Sequence, residues 1–205
     1  MLSYCSIRTA HYQLKEVTMP KPSPEDDTVL QYLYLCANPL RGDDEIMREY
    51  EALKCHPRIK SIGFLRPDVL MVGTDEIIIT YKGNQYYIGE FIIFLIRRQV
   101  DCYWETEFRF WNVTNPLYFF PEKEGTQPQV GYIHPHIMPA NDELLGCPNG
   151  ALCIAKGQFG VHMHMRKGEM HLAAPRLIEI LETYPTGHPY TDASEWPIWE
   201  GKSDA

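Results

Sequence analysis

The chain has 205 residues, of which 44% are hydrophobic and 22% charged, and a formal net charge of −8. That length can bury one full core, so a single domain with extensions is expected. The acidic balance argues against nucleic acid as the main partner, because phosphate binding is driven by clustered Lys and Arg. The longest purely apolar run, residues 91–96, is far below the ~20 residues that span a bilayer. Residues 1–10 contain no apolar core of a secretory signal, so none is expected. The six cysteines, Cys5, Cys36, Cys55, Cys102, Cys147 and Cys153, are dispersed and form no Cys-x-x-Cys pair. Free thiols in a reducing cytoplasm are the expectation.

Along the chain, residues 19–27 are Pro-rich and acidic and read as a linker or extended arm, with Pro24 disfavouring a helix through that point. Residues 29–35 read as a short strand. Residues 43–54 read as a helix: Asp43 can cap it, Asp44 and Glu45 suit its positive end, and Ile46, Met47, Tyr50 and Leu53 share one face. His56-Pro57 ends it. Residues 76–81 are β-branched and run into the turn signal Lys82-Gly83-Asn84. Residues 86–97 read as one long aromatic strand. In residues 103–113, Trp104, Thr106, Phe108 and Phe110 alternate with Glu105, Glu107 and Arg109. That period implies one buried and one wet face, as in an antiparallel meander covered by helices on one side. After an aromatic-Pro element at 118–121, residues 128–133 lead into His134-Pro135-His136. Residues 175–183 read as a helix with Pro175 in its first turn and Leu177, Ile178 and Leu181 facing inward. Residues 191–205 read as a polar tail. No internal repeat or low-complexity tract is visible.

The most specific segment is His134-Pro135-His136-Ile137, followed after a loop by Asn149-Gly150-Ala151-Leu152-Cys153-Ile154. A His-Pro turn leading to a Gly-x-x-Cys strand resembles the active-site segment of ubiquitin-conjugating enzymes. The turn is most similar to that of the bacterial relatives, where it reads His-Pro-His. The resemblance implies an α+β ubiquitin-conjugating (UBC-like) fold, an antiparallel β-meander flanked by helices. It divides the chain into an N-terminal extension with a Pro-rich linker (1–42), a UBC-like catalytic domain (43–197) and a polar tail (198–205). It also implies the activity: a ubiquitin-like protein is accepted as a thioester on Cys153 from an activating enzyme and passed to an amine on a protein or other acceptor. Cys153 and His136 are the catalytic residues this implies, with His134 and Gly150 in support. His136 stands where most of the family has Asn, as a donor to the oxyanion formed when an amine attacks. His134 implies a structural role, its ring fastening the turn to neighbouring backbone. No nucleotide-binding loop is present, so activation by ATP is assigned to the partner enzyme, and no cofactor is expected.

From the residues alone the chemistry is less committed. A thiolate is the nucleophile in acyl transfer, yet a cysteine between Leu152 and Ile154 also suits a core strand. Cys147, before Pro148 in a polar loop, is the competing nucleophile. An imidazole N–H at His136 can stabilise an oxyanion and exchange protons near neutrality, or simply pack in its turn. His162 and His164 would share one face of a strand, and with His134, His136, Cys147 and Cys153 could hold Zn²⁺; the alternatives are a solvated face or a pocket rim near Cys153. Tyr190, Asp192 and Glu195 could help strip the proton from an attacking lysine, or lie in an exposed tail. Three other classes remain open: a non-catalytic UBC-like binding module, a zinc protein, and a cysteine hydrolase.

Overall fold

The computed structural model describes residues 25–114, 134–140, 149–152, 158–183 and 192–200. Among these, the chain is α+β, with four α-helices on an antiparallel sheet. The order is α1 (Glu25–Cys36), α2 (Asp43–Lys54), β1 (Ile59–Arg66), β2 (Val69–Thr74), β3 (Ile77–Tyr81), β4 (Asn84–Gly89), β5 (Phe91–Val100), β6 (Tyr103–Asn112), β7 (Ile137–Ala140), β8 (Asn149–Leu152), α3 (Gln158–Lys167) and α4 (Met170–Glu182), followed by a 3₁₀ turn, Ala193–Glu195. The main sheet has six strands in the order β1-β2-β5-β6-β8-β7, and β3-β4 form a separate hairpin.

The strands are pinned by side-chain period and turns. β5 and β6 pair in register from Phe91↔Asn112 to Val100↔Tyr103. On one face Phe64, Leu70, Val72, Phe91, Ile93, Leu95, Phe108 and Phe110 join the helices in the main core. The opposite face is also buried at β5, where Val69, Ile92, Phe94 and Ile96 cluster with Leu65, Met71 and Trp111. A strand buried on both faces needs apolar residues at every position, which is why residues 91–96 form an unbroken run. The expectation of one wet face therefore fails at β5 and holds for β6, where Phe108 and Phe110 are buried while Glu105 is exposed and Glu107 and Arg109 are half-buried.

Residues 29–35 are helix, not strand. Thr28, Tyr32, Leu35 and Cys36 are buried at helical spacing, while Leu30 and Tyr34 stay 64% and 63% exposed; apolar residues on both faces hid the period. Tyr32, Leu35 and Cys36 share the main core with α2 and α4, so the packed body begins ahead of residue 43. Residues 86–97 are two strands broken at Gly89, whose φ of +124° suits only glycine, and a Cβ there would meet Asn112 Oδ1 at 2.7 Å. α4 begins five residues before Pro175, which sits inside it; the missing N–H costs the bond to the His171 carbonyl. Leu177, Ile178 and Leu181 face inward, as the spacing predicts. Of the polar tail, Ala193 and Trp196 are buried, and Ile198 bridges Tyr86. Residues 118–121 and 128–133 lie outside the described residues.

α1 and α3 bring their C-terminal ends together. Gly168, at φ +79°, lets them meet: a Cβ there would lie 2.4 Å from the Cys36 carbonyl oxygen. Each helix end carries roughly half a negative charge on unsatisfied carbonyls. Arg97, fully buried on β5, answers both. Its guanidinium donates to the carbonyls of Leu35 in the last turn of α1, of Ala37 just past it, and of Arg166 in α3, the last at 3.0 Å. Trp104 covers it with ring centroid and guanidinium carbon 3.5 Å apart. Burial pushes Arg97 down to about 10, leaving it protonated at neutral pH. Arg97→Met should orphan carbonyls on both helices and cost on the order of 3 kcal/mol in urea denaturation. Arg97→Lys should recover only part of that, because one ammonium lacks the fork that spans two helix ends.

Candidate functional site

The His-Pro-His segment is a tight turn. Ile137 N donates to the His134 carbonyl at 3.0 Å, with Pro135 at the position where its fixed φ is pre-set for the bend. His134, Pro135, His136 and Ile137 are all buried. His134 Nε2 lies 2.8 Å from the Leu181 carbonyl in the last turn of α4, and His136 N donates to His134 Nδ1 at 3.0 Å. One ring nitrogen therefore donates and the other accepts, which fixes a neutral imidazole with its proton on Nε2. The ring also meets the edge of Phe91, with centroids 6.0 Å apart. The His136 ring lies 6.1 Å from that of His134.

From this turn β7 pairs with β8: Ile137↔Leu152, Met138↔Ala151, Pro139↔Gly150 and Ala140↔Asn149. Gly150 is also where β8 joins the main sheet, opposite Phe110. Cys153 and Cys147 lie outside the described residues, as does Tyr190. Cys153 is bonded to Leu152, and Leu152 pairs with Ile137, the residue after His136.

Next to Leu152 opens a cleft of about 800 Å³ along β6, bounded by Thr106, Glu107, Phe108, Ala151, Leu152 and His162 among others. His162 is on a helix, α3, not on a strand. Positions i and i+2 of a helix diverge, so His162 and His164 do not share a face: His162 Nδ1 is 3.0 Å from Thr106 Oγ1, whereas His164 Nδ1 is 2.7 Å from Glu169 Oε2. Among the described residues no group of three or more His, Cys, Asp or Glu is placed to hold a metal. Burial lowers His162 below the usual imidazole range, Arg166 adds to this, and Glu107 and Thr106 oppose it.

The remaining candidates are placed as follows. Asp192 accepts from Ser194 N at 2.9 Å and caps the 3₁₀ turn, and those bonds hold its carboxyl below its ordinary value. It does not line the cleft. Burial pushes the Cys36 thiol up to about 12, so it is no nucleophile. Cys55 and Cys102 are exposed. The Thr106–His162 pair escaped the sequence because α3 was read with a strand period, although Val161 and Met165, both buried, sit at i and i+4. No helix among the described residues is long and apolar enough to cross a membrane. No family model, curated protein or solved structure matches the chain.

Burial pushes His134 down to about 3, while an unfolded histidine titrates near 6.5. Between those values the unfolded chain binds a proton that the folded chain does not. The contribution of His134 is therefore complete above about pH 6.5 and is lost as pH falls towards 3, by about 1.4 kcal/mol per pH unit. Denaturation at about pH 7 and about pH 5 should show this slope, and His134→Gln should flatten it while lowering stability at both.

Proposed function

We propose that this chain is a ubiquitin-conjugating-like enzyme with a UBC-like fold. It takes a ubiquitin-like protein as a thioester on Cys153 from an activating enzyme and passes it to an amine. The observation that carries this is the buried His134-Pro135-His136 turn, locked to the end of α4 and set by the β7–β8 pairing beside Leu152, the residue bonded to Cys153. The antiparallel sheet with helices before and after it supports the same conclusion.

The chemistry divides in two. Loading exchanges one thioester for another, so Cys153 needs access more than acidity. Discharge is harder: a neutral amine attacks and an oxyanion must be held. A pre-placed N–H at that oxyanion acts only in the transition state, which is the role given to His136. Gly150, where β8 meets both β7 and β6, sets the strand that leads to the cysteine.

Incubation with a ubiquitin-like protein, its activating enzyme and ATP should give a reductant-sensitive adduct. Cys153→Ser should abolish it; a reducible adduct on Cys153→Ser would defeat the assignment in favour of Cys147. Tight non-covalent binding without any adduct would leave a UBC-like binding module.

His136→Ala should leave loading nearly intact and slow aminolysis roughly tenfold. That is less than the ~2.7–4 kcal/mol of a dedicated oxyanion donor, because the residue sits on a turn. Single-turnover measurement of each half-reaction separates the two. Equal losses in both, with a lowered melting temperature, would make His136 a structural residue only.

A further inference from the structure

The cleft beside Leu152 bends around β6. Every residue from Tyr103 to Arg109 borders it. Successive side chains of a strand point to opposite faces, so β6 divides the cleft into two sides. On one side Glu105 and Glu107 stand across from Arg98 and Ile96 of β5. On the other lie Trp104, Thr106 and Phe108, met by His162 and Arg166 of α3. At about 800 Å³ the whole cleft has the size of a small-molecule site.

The charges on the two sides differ. Arg98 is answered by Asp68, with Nε 2.8 Å from Oδ2, and Arg109 by Glu107. The cations of that side thus have their carboxylates already. On the α3 side the charged wall residue is Arg166, exposed, whose guanidinium makes no ion pair among the described residues. Its backbone carbonyl, not its side chain, meets Arg97. His162, one helical turn earlier, adds a second donor. Thr106 Oγ1 lies 3.0 Å from its Nδ1, and Phe108 tilts against the ring at a centroid distance of 5.0 Å. When the hydroxyl donates to Nδ1, Nε2 carries the proton and is an N–H donor. Burial and Arg166 lower His162, while Glu107 and Thr106 oppose them. Trp104 has its ring covered by Arg97 at 3.5 Å and is half-buried where it borders the cleft. A guanidinium and an N–H donor beside two aromatic rings complement an oxyanion on a flat apolar body. One guanidinium matches one negative charge; a phosphate dianion would call for more cations than this side holds.

We propose that the α3 side of this cleft binds an aromatic carboxylate, with Arg166 and His162 holding the carboxylate and Trp104 and Phe108 taking the ring. This goes beyond the conjugation chemistry above and is independent of Cys153. The guanidinium offers two parallel N–H donors to the two carboxylate oxygens, whereas an amide or ammonium head finds no counter-charge on this side. An imidazolium holds an anion more strongly than a neutral ring does, so ligand binding and protonation of His162 favour each other.

The test uses the full chain and three probes that share one ring system, 2-naphthoate, 2-naphthamide and 2-naphthylmethylammonium, followed by titration calorimetry. 2-Naphthoate should bind, and the amide and the ammonium should bind about tenfold more weakly or not at all. Arg166→Ala should weaken 2-naphthoate about fivefold and leave the amide within about twofold of its wild-type value, as expected for an exposed ion pair. Lys167→Ala removes the neighbouring cation, which does not border the cleft, and should change neither. Affinity for 2-naphthoate should rise as pH falls from about 7.5 to about 6, where a carboxylate stays ionised, and His162→Gln should remove that rise. Equal binding of the amide, an equal loss in Lys167→Ala, a pH dependence that survives His162→Gln, or no binding of 2-naphthoate at millimolar concentration would overturn the site.

Discussion

The arrangement of this fold depends on one buried cation. Two helices that end at the same place oppose negative dipole ends, and the carbonyls turned towards β5 lose water once packed. Arg97 resolves both with a single planar group, reaching Leu35 in α1, Ala37 just past it and Arg166 in α3 from the central strand β5. Asn38 Nδ2 adds a bond to the Lys167 carbonyl at 3.2 Å, and Arg41 Nη1 reaches the same oxygen at 3.4 Å. Arg41 is itself held by Glu45 and Glu49 of α2. The first three helices are thus joined by polar contacts at one corner, and the third carries His162 into the cleft.

The His-Pro-His turn follows the same logic with a neutral group. A helix end again presents a carbonyl, that of Leu181, and a buried ring again satisfies it. Here the donor is an imidazole that gains nothing by being charged, because burial penalises the imidazolium. The same ring accepts from the backbone of His136, so the direction of the turn and the end of α4 are set by one side chain. Both corners use polar side chains where an all-apolar core would leave helix termini unpaired.

The elements legible in the sequence were those whose period matched a single solvated face. α2 showed its apolar stripe and acidic first turn, and β6 its alternation. α1 did not, because Leu30 and Tyr34 put apolar residues on its outer side and imitated a strand. β1 and β2 were passed over: Gly63 and Gly73 interrupt them, and irregularities near Ser61 and Arg66 break their register. The break at Gly89 was missed because it depends on the close approach of Asn112, 23 residues later in the chain. For the candidate site, the His-Pro-His turn was visible as residue types. The partners that give it geometry, the Leu181 carbonyl and the Thr106–His162 pair, are long-range contacts that no local spacing encodes.

The attachment of the β7–β8 hairpin has its own consequence. β5 and β6 are joined by ten register pairs, whereas among the described residues β8 meets β6 only at Phe110↔Gly150. The second fastening is the His134 ring on α4. Ile137 and Leu152, paired across the hairpin, are both buried in the main core. Apolar packing and the His134 ring, more than the sheet's own ladder, therefore hold this end of the hairpin in place.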